Sequence, residues 1–192
     1  MRIHQPTECI KDANIALQLL KEGNERFVKG ELIPKVCCNA DREDLCNCQN
    51  PFAIVLTCSD SRAAPEIFFD QKLGDIFIIR NAGNIADVTA LGSIEYAVDH
   101  LKCRLVVVCG HSNCGAVKSA SSNERCSQNL NHIIDHLMPA VKKGGSIDNI
   151  IHNNVELMVE KIKADEIVKL SETLVVGAYY DIHSGLVKWF DS

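Results

Sequence analysis

Three short runs of the chain are continuously apolar: FAIVL from Phe52, the stretch between Asp75 and Arg80 within DIFIIR, and LVVVCG from Leu105. Each is too short for a helix of ordinary length and rich in β-branched residues. Continuous rather than alternating hydrophobicity predicts strands covered on both faces. Between the second and third runs lies TALGSIEYAVDHL, where Leu91, Ile94, Ala97, Val98 and Leu101 recur at three- and four-residue intervals on one face. That spacing predicts a helix, with Thr89 as its candidate cap. NLNHIIDHLMPAV and IDNIIHNNVELMVEKIKA repeat the helical signature on either side of Gly144 and Gly145.

At the start of the chain, Ile15, Ala16, Leu19, Leu20 and Phe27 fall at roughly helical spacing. They predict one or two amphipathic helices with a stop at Gly23 or Gly30. From Glu31 to Pro51 the periodicity fails while Pro, Asn and Cys accumulate, which predicts an irregular connection with a short helix near Asp41 to Leu45. Near the end, TLVVGAYYDI leads through the turn HSG into LVKWF, a hairpin whose second arm is an antiparallel edge. Strands alternating with helices give an α/β class. The expected architecture is a mainly parallel central sheet flanked by helices on both faces, with an antiparallel edge strand. One domain spans 1–192, with an N-terminal helical arm over 1–30 and a Cys-rich irregular connection over 31–51.

Composition narrows the partners. The chain has 192 residues, is 46% hydrophobic, and carries a formal charge of -5 from 20 basic and 25 acidic side chains. That length and apolar content suit one well-buried core. No Lys or Arg run follows a phosphate backbone, so nucleic acid and anionic membrane are set aside. The first thirty residues break every apolar group with charge, unlike a secretory signal, and no window reaches a membrane-spanning length. The chain reads as soluble and cytoplasmic, where its ten cysteines serve as thiols or metal ligands rather than disulfides.

The chemistry gathers where the apolar runs end. FAIVL runs straight into TCSDSR, with Cys58, Asp60 and Arg62 at alternate positions, and LVVVCG into GHSNCGAV, with His111 and Cys114. Ligands in α/β sheets collect beyond the carboxyl ends of strands. A buried Cys is often only a small hydrophobe. Two such groups at two strand ends instead point to a Cys2His zinc site of catalytic type, with one position open. GHSNCGAVKS is not a phosphate loop: Ala116 stands where the phosphate-binding Lys belongs and Lys118 comes two residues late. GDIFIIRNAGN lacks the three-glycine dinucleotide pattern. His132 and His136, four apart, can share a metal but read as surface or interface histidines. Cys37, Cys38, Cys46 and Cys48 can hold a second soft metal or form a redox pair, although their spacing matches no zinc ribbon. The plainer reading is unpaired loop thiols.

CSDSR, RNAGN and GHSNCGAV, in this order, resemble the β-class carbonic anhydrases, and the likeness extends from the helical opening through EYAVDHL to VVGAYYDIHSGLV. The resemblance implies one Zn2+ per chain on Cys58, His111 and Cys114, with Asp60 and Arg62 as a dyad beside it. It also implies a homodimer or homotetramer with active sites at the interfaces. The implied reaction is reversible hydration of carbon dioxide to bicarbonate and a proton through a zinc-bound hydroxide. Asp60, when ionised, only accepts hydrogen bonds and so orients a species that still has a proton to donate. Alternate positions on an extended segment would let Asp60 and Arg62 reach one side. In a closed state Asp60 would become a fourth zinc ligand.

Gln49, nine positions before Cys58, matches a family amide able to donate to bicarbonate. Phe77 and Tyr96 match aromatic pocket positions, and Ala82 an apolar wall of the carbon dioxide pocket. The only tryptophan is Trp189, so the early Trp of members with a noncatalytic bicarbonate site is missing. Two other readings stand beside this one. The same zinc site serves carbonyl sulfide or carbon disulfide hydrolases, and the extra cysteines suit a nonenzymatic zinc-binding or thiol-regulated protein. The Asp60 and Arg62 pair argues against the latter.

Overall fold

In the computed structural model, which describes residues 10–34, 43, 45, 46, 48–122 and 127–190, the continuous apolar runs are strands of one five-stranded sheet. These are β1 (Ala53–Cys58), β2 (Ile76–Asn81) and β3 (Leu105–His111), joined by β4 (Leu174–Tyr180) and β5 (Val187–Trp189). The spatial order is β2-β1-β3-β4-β5, parallel except for the β4–β5 pair. The chain therefore leaves β1 for β2 on one side and returns to β3 on the other. The carboxyl ends of β1 and β3 flank the resulting switch point, where such sheets open a crevice.

Every residue of β1 and β3 is buried, as continuous hydrophobicity requires. Successive side chains point to opposite faces. Ala53, Val55, Leu105, Val107, Cys109 and Ala178 pack with Ala16 and Leu20 of α1 (Ala13–Lys29). Ile54, Leu56, Val106 and Val108 pack with α3 (Val88–Asp99) and α6 (Ile147–Lys163), through Ile94, Ala97, Val98, Val155 and Ile162. Further helices are α2 (Pro65–Phe68), α4 (Gly115–Ser121), α5 (Gln128–Lys143) and α7 (Glu166–Leu170). Helices thus cover both faces. β2, at the edge, is only partly covered, with Arg80 exposed.

Local chemistry settles one alternative the sequence left open and corrects two expectations. A single helix, α1, runs through Gly23 and stops at Gly30 in the left-handed region, with φ +72°. Gly23 serves packing rather than termination: a Cβ there would collide with the Phe69 carbonyl oxygen. The cap of α3 is Asp87, whose carboxylate accepts from the Ala90 N–H, while Thr89 already lies inside the helix. Residues 61 and 62 form a turn rather than a continuation of the strand, closed by Ala63 N–H to the Asp60 carbonyl at 3.0 Å. Asp41, Arg42 and Asp44 of the expected short helix lie outside the described residues, as do Cys37 and Cys38.

Gly110 decides how near α6 approaches the sheet. A Cβ there would stand 2.8 Å from a Val155 methyl and 2.9 Å from an Ile151 methyl, so only glycine admits the helix at this depth.

Candidate metal centre

Cys58 is the last residue of β1, His111 the last of β3, and Cys114 precedes α4. Between the last two, Asn113 takes a left-handed conformation with φ +59°, which asparagine tolerates better than most residues. This reverses the chain so that Cys114 returns toward His111. Cys114 occupies the cap position of α4 without using its side chain as a cap, which leaves the thiol for other work. The donor atoms of Cys58, His111 and Cys114 all lie within 4.8 Å of one another, and all three residues are buried. They are the one His, Cys, Asp and Glu group of this kind among the described residues.

The set fits a soft divalent ion. Nδ1 of His111 lies 2.9 Å from the Ser112 carbonyl, which can only accept, so Nδ1 carries the proton and Nε2 keeps its lone pair. Nε2 is buried without a hydrogen-bond partner. Buried polar atoms are rarely left so, and a lone pair aimed at two free thiols is what a metal satisfies. One backbone carbonyl thus selects the ligand nitrogen.

The electrostatics agree. The Cys114 side chain hydrogen-bonds Cys58 and holds its thiol down to about 4 against the opposing effect of burial, helped by His111 and the backbone at Gly83 and Asp60. Cys114 moves the other way, raised first by the same contact with Cys58 and then by burial. Burial pulls His111 downward, but the neighbouring Cys58 sulfur, with Ser112 and Asp60, carries it upward on balance. The two thiols therefore titrate as one pair, which gives up its first proton well below the usual thiol range and holds the second.

Beside the cluster, Arg62 grips Asp60 with two parallel bonds, Nε to Oδ1 at 2.9 Å and Nη2 to Oδ2 at 2.7 Å. The Arg62 backbone N–H adds a third, to Oδ1 at 3.0 Å. The turn, not strand alternation, creates this pairing. Arg62 keeps Asp60 ionised, well below the usual carboxylate range. Oδ2 of Asp60 stands 3.9 Å from His111 Nε2, so the carboxylate borders the cluster directly.

Sequence reasoning missed two groups that build this site. Arg80, which opens RNAGN, donates Nε to the Cys58 carbonyl at 3.0 Å and Nη2 to the Asp60 carbonyl at 2.7 Å, tying the exit of β1 to β2. The Gly83 N–H donates to Cys58 Sγ at 3.4 Å. A charged residue at the end of an apolar edge strand was the available signal for Arg80; a backbone donor leaves none.

The other candidate residues lie at different distances from the cluster. Ala82 is half-buried in the turn after β2, next to Gly83. Gln49 is exposed, ahead of β1. Phe77 pairs with Ile54, four residues before Cys58, or about 13 Å along the strand. Its ring sits 6.2 Å from that of Tyr96, which is 45% exposed, so these two face the open edge of the sheet. His132 and His136 place their rings 5.0 Å apart on α5. Cys46 and Cys48 are exposed, and Trp189 stacks on Phe69. Among the described residues no helix is long and apolar enough to cross a membrane.

Comparison with known proteins places the chain in a family. The carbonic anhydrase family profile matches residues 53–187, from the start of β1 to the start of β5. Carbonic anhydrase from Mycolicibacterium smegmatis is 44% identical over 133 residues, covering 67% of this chain and 65% of its own length, just under two thirds of that relative. Carbonic anhydrase 2 from Mycobacterium tuberculosis is 35% identical over 184 residues, covering 88% of this chain and 89% of its own. Among solved structures, a tetrameric β-carbonic anhydrase from the ascomycete Sordaria macrospora superposes with a TM-score of 0.73 at 27% identity, covering 79% of this chain and 86% of its own. Fold, profile and relatives agree, and the chain belongs to the β-class carbonic anhydrase family of carbonate dehydratases.

Proposed function

We propose that this protein catalyses reversible hydration of carbon dioxide to bicarbonate and a proton, with one zinc ion per chain held by Cys58, His111 and Cys114. The observation that carries the reading is the buried, unpartnered Nε2 of His111 among two free buried thiols within 4.8 Å. Zinc bound by this set supplies Lewis-acid chemistry, making a nucleophile from water near neutral pH. Asp60, ionised and clamped by Arg62, is a fixed acceptor beside the cluster, so it orients a proton-bearing reactant there and rejects one that offers only lone pairs. Arg80 holds the backbone on both sides of Ser59 and keeps Cys58 and Asp60 in mutual register. Ala82 gives the weakly polar substrate an apolar wall, and the Gln49 amide donates to bicarbonate.

We read the working form as a homodimer or homotetramer in the cytoplasm. β2 is a partly covered edge strand, and Phe77, Tyr96 and Val88, the last 84% exposed, surround it with apolar surface. A second copy on this edge would bury that surface and bring Phe77 and Tyr96 to an active site they do not reach within one chain. Buried free thiols at Cys58, Cys109 and Cys114 suit a reducing compartment.

Stopped-flow hydration of carbon dioxide by reduced, zinc-loaded protein, with metal analysis and sedimentation on the same sample, tests the reading. The expected result is catalysis with one zinc per chain in an oligomer. Hydration at the buffer rate by fully loaded protein would overturn the activity, and an active monomer would overturn the interface.

A further inference from the structure

We propose that Asn154, on α6, is a positioning residue for the Cys58 sulfur: it anchors the Gly83 carbonyl so that the Gly83 N–H stays aimed at Sγ. The proposal rests on the reading of Cys58 as a metal ligand, and its experiment separates the two.

Asn154 is buried, with 1% of its surface exposed, and its Nδ2 donates to the Gly83 carbonyl at 3.0 Å. That carbonyl can only accept, which fixes which end of the amide faces it. Gly83 in turn donates its N–H to Cys58 Sγ at 3.4 Å. The carbonyl and the N–H lie on opposite flanks of a single Cα, at φ +82°, where glycine is conformationally freest. A hydrogen bond on each flank removes that freedom. One helical turn after Asn154, Met158 accepts the Ala86 N–H through its sulfur at 3.2 Å, so one stripe of α6 grips the loop at both ends. Asn81 closes the same loop from inside, exchanging two 2.7 Å bonds with the backbone of Ile85.

Stability alone does not explain an asparagine here. Its Oδ1 is buried without a hydrogen-bond partner, a cost that an apolar residue would avoid. What Asn154 provides is a fixed donor to one peptide, and that peptide flanks a backbone N–H bonded to the Cys58 sulfur from outside its own strand and turn. An N–H directed at a thiolate draws electron density from the sulfur and so tunes what the sulfur gives to a metal. Partners one step removed from a metal typically govern its affinity by 10- to 100-fold.

The test uses full-length protein loaded with Co2+, read by thiolate-to-cobalt charge-transfer absorption and by the rate of metal loss to a chelator. Asn154→Leu removes the donor and keeps the volume. We expect shifted charge-transfer bands and metal loss about tenfold faster. Asn153→Ala, which removes a neighbouring amide bonded to Ala140 and Gly144 instead, should match wild type. An Asn154→Leu variant with wild-type spectrum and release rate overturns the proposal, as does an equal change in Asn153→Ala. If the leucine variant does not fold, Asn154→Asp, of the same shape but with an acceptor facing the carbonyl, carries the same two outcomes. In wild type loaded with 113Cd, scalar coupling should reach the Gly83 amide proton, and its absence overturns the proposal outright. Wild type lacking thiolate bands altogether would overturn the metal-site reading first, a result visible before any variant is made.

Discussion

Cys58 and Cys109 lie on adjacent parallel strands, one register step apart, since Thr57 pairs with Cys109. Both are buried, at 5% and 0% exposure, yet Cys58 is held down to about 4 and Cys109 is pushed up to about 12. Burial itself raises both thiols. Cys109 points into the face covered by α1, among Val107 and Ala178, and finds little to oppose that effect. Cys58 points to the opposite face at the very end of its strand, where Cys114, His111 and the Gly83 N–H reach it. Inside a sheet the ladder consumes the backbone donors; past its edge, turn amides are free to bond a sulfur. Reactivity here follows from position along the strand, not from residue type or burial.

The sharpest way to break this comparison is to exchange each thiol. Cys58→Ser should lose the metal and drop carbon dioxide hydration to the buffer rate, measured by stopped flow and metal analysis. Cys109→Ala should stay within about twofold of wild-type activity while losing about 1 kcal/mol of stability in denaturant melts, as small core truncations do. Equal activity loss in both variants would erase the distinction.

Next in size is Asp60→Asn. The amide places donors where only an acceptor stood and gives up the charge that Arg62 grips, so kcat/KM should fall about a hundredfold, the scale of a misplaced reacting group. Metal content should remain near wild type, because Asp60 is paired with Arg62 rather than held within the donor set.

Arg80→Ala should be milder, with metal loss to a chelator about tenfold faster, because Arg80 holds the Cys58 carbonyl and not the sulfur. The smallest effect is the most direct reading of the two thiols. In metal-free protein, mass spectrometry after alkylation at pH 6 should find Cys58 modified and Cys109 untouched. A thiol held near 4 is a thiolate at pH 6, whereas one held near 12 remains protonated. Below pH 4 the Cys58 modification should fade as well.

Much of this was legible in the chain. Phe52 to Leu56 and Leu105 to Gly110 announced buried strands because both faces of a central parallel strand are apolar, and the spacing of Leu91, Ile94, Ala97 and Val98 announced α3 because one face is buried. The less legible features depend on contacts between distant residues. Thr89 and Asp87 are both plausible caps by type, and backbone geometry alone chose Asp87. Gly23 resembles a helix stop, yet it is kept for the close passage of Phe69. Asp60 and Arg62 were correctly paired for the wrong geometric reason, because the strand ends at Cys58 and a turn brings them together.

The sequence by itself determined the fold class, the strands that end in reactive residues, and the identities of the Cys, His and Cys side chains, since periodicity and composition are local properties. Tertiary structure alone decided which nitrogen of His111 is open, which backbone N–H meets Cys58, and which asparagine anchors that loop. The Ser112 carbonyl is a backbone group with no sequence signature. The Gly83 bond to Cys58 joins residues 25 apart, and the Asn154 bond to Gly83 residues 71 apart. The first depends on how the turn after β2 meets the end of β1 and the second on how α6 lies against the sheet, and no local pattern encodes either distance.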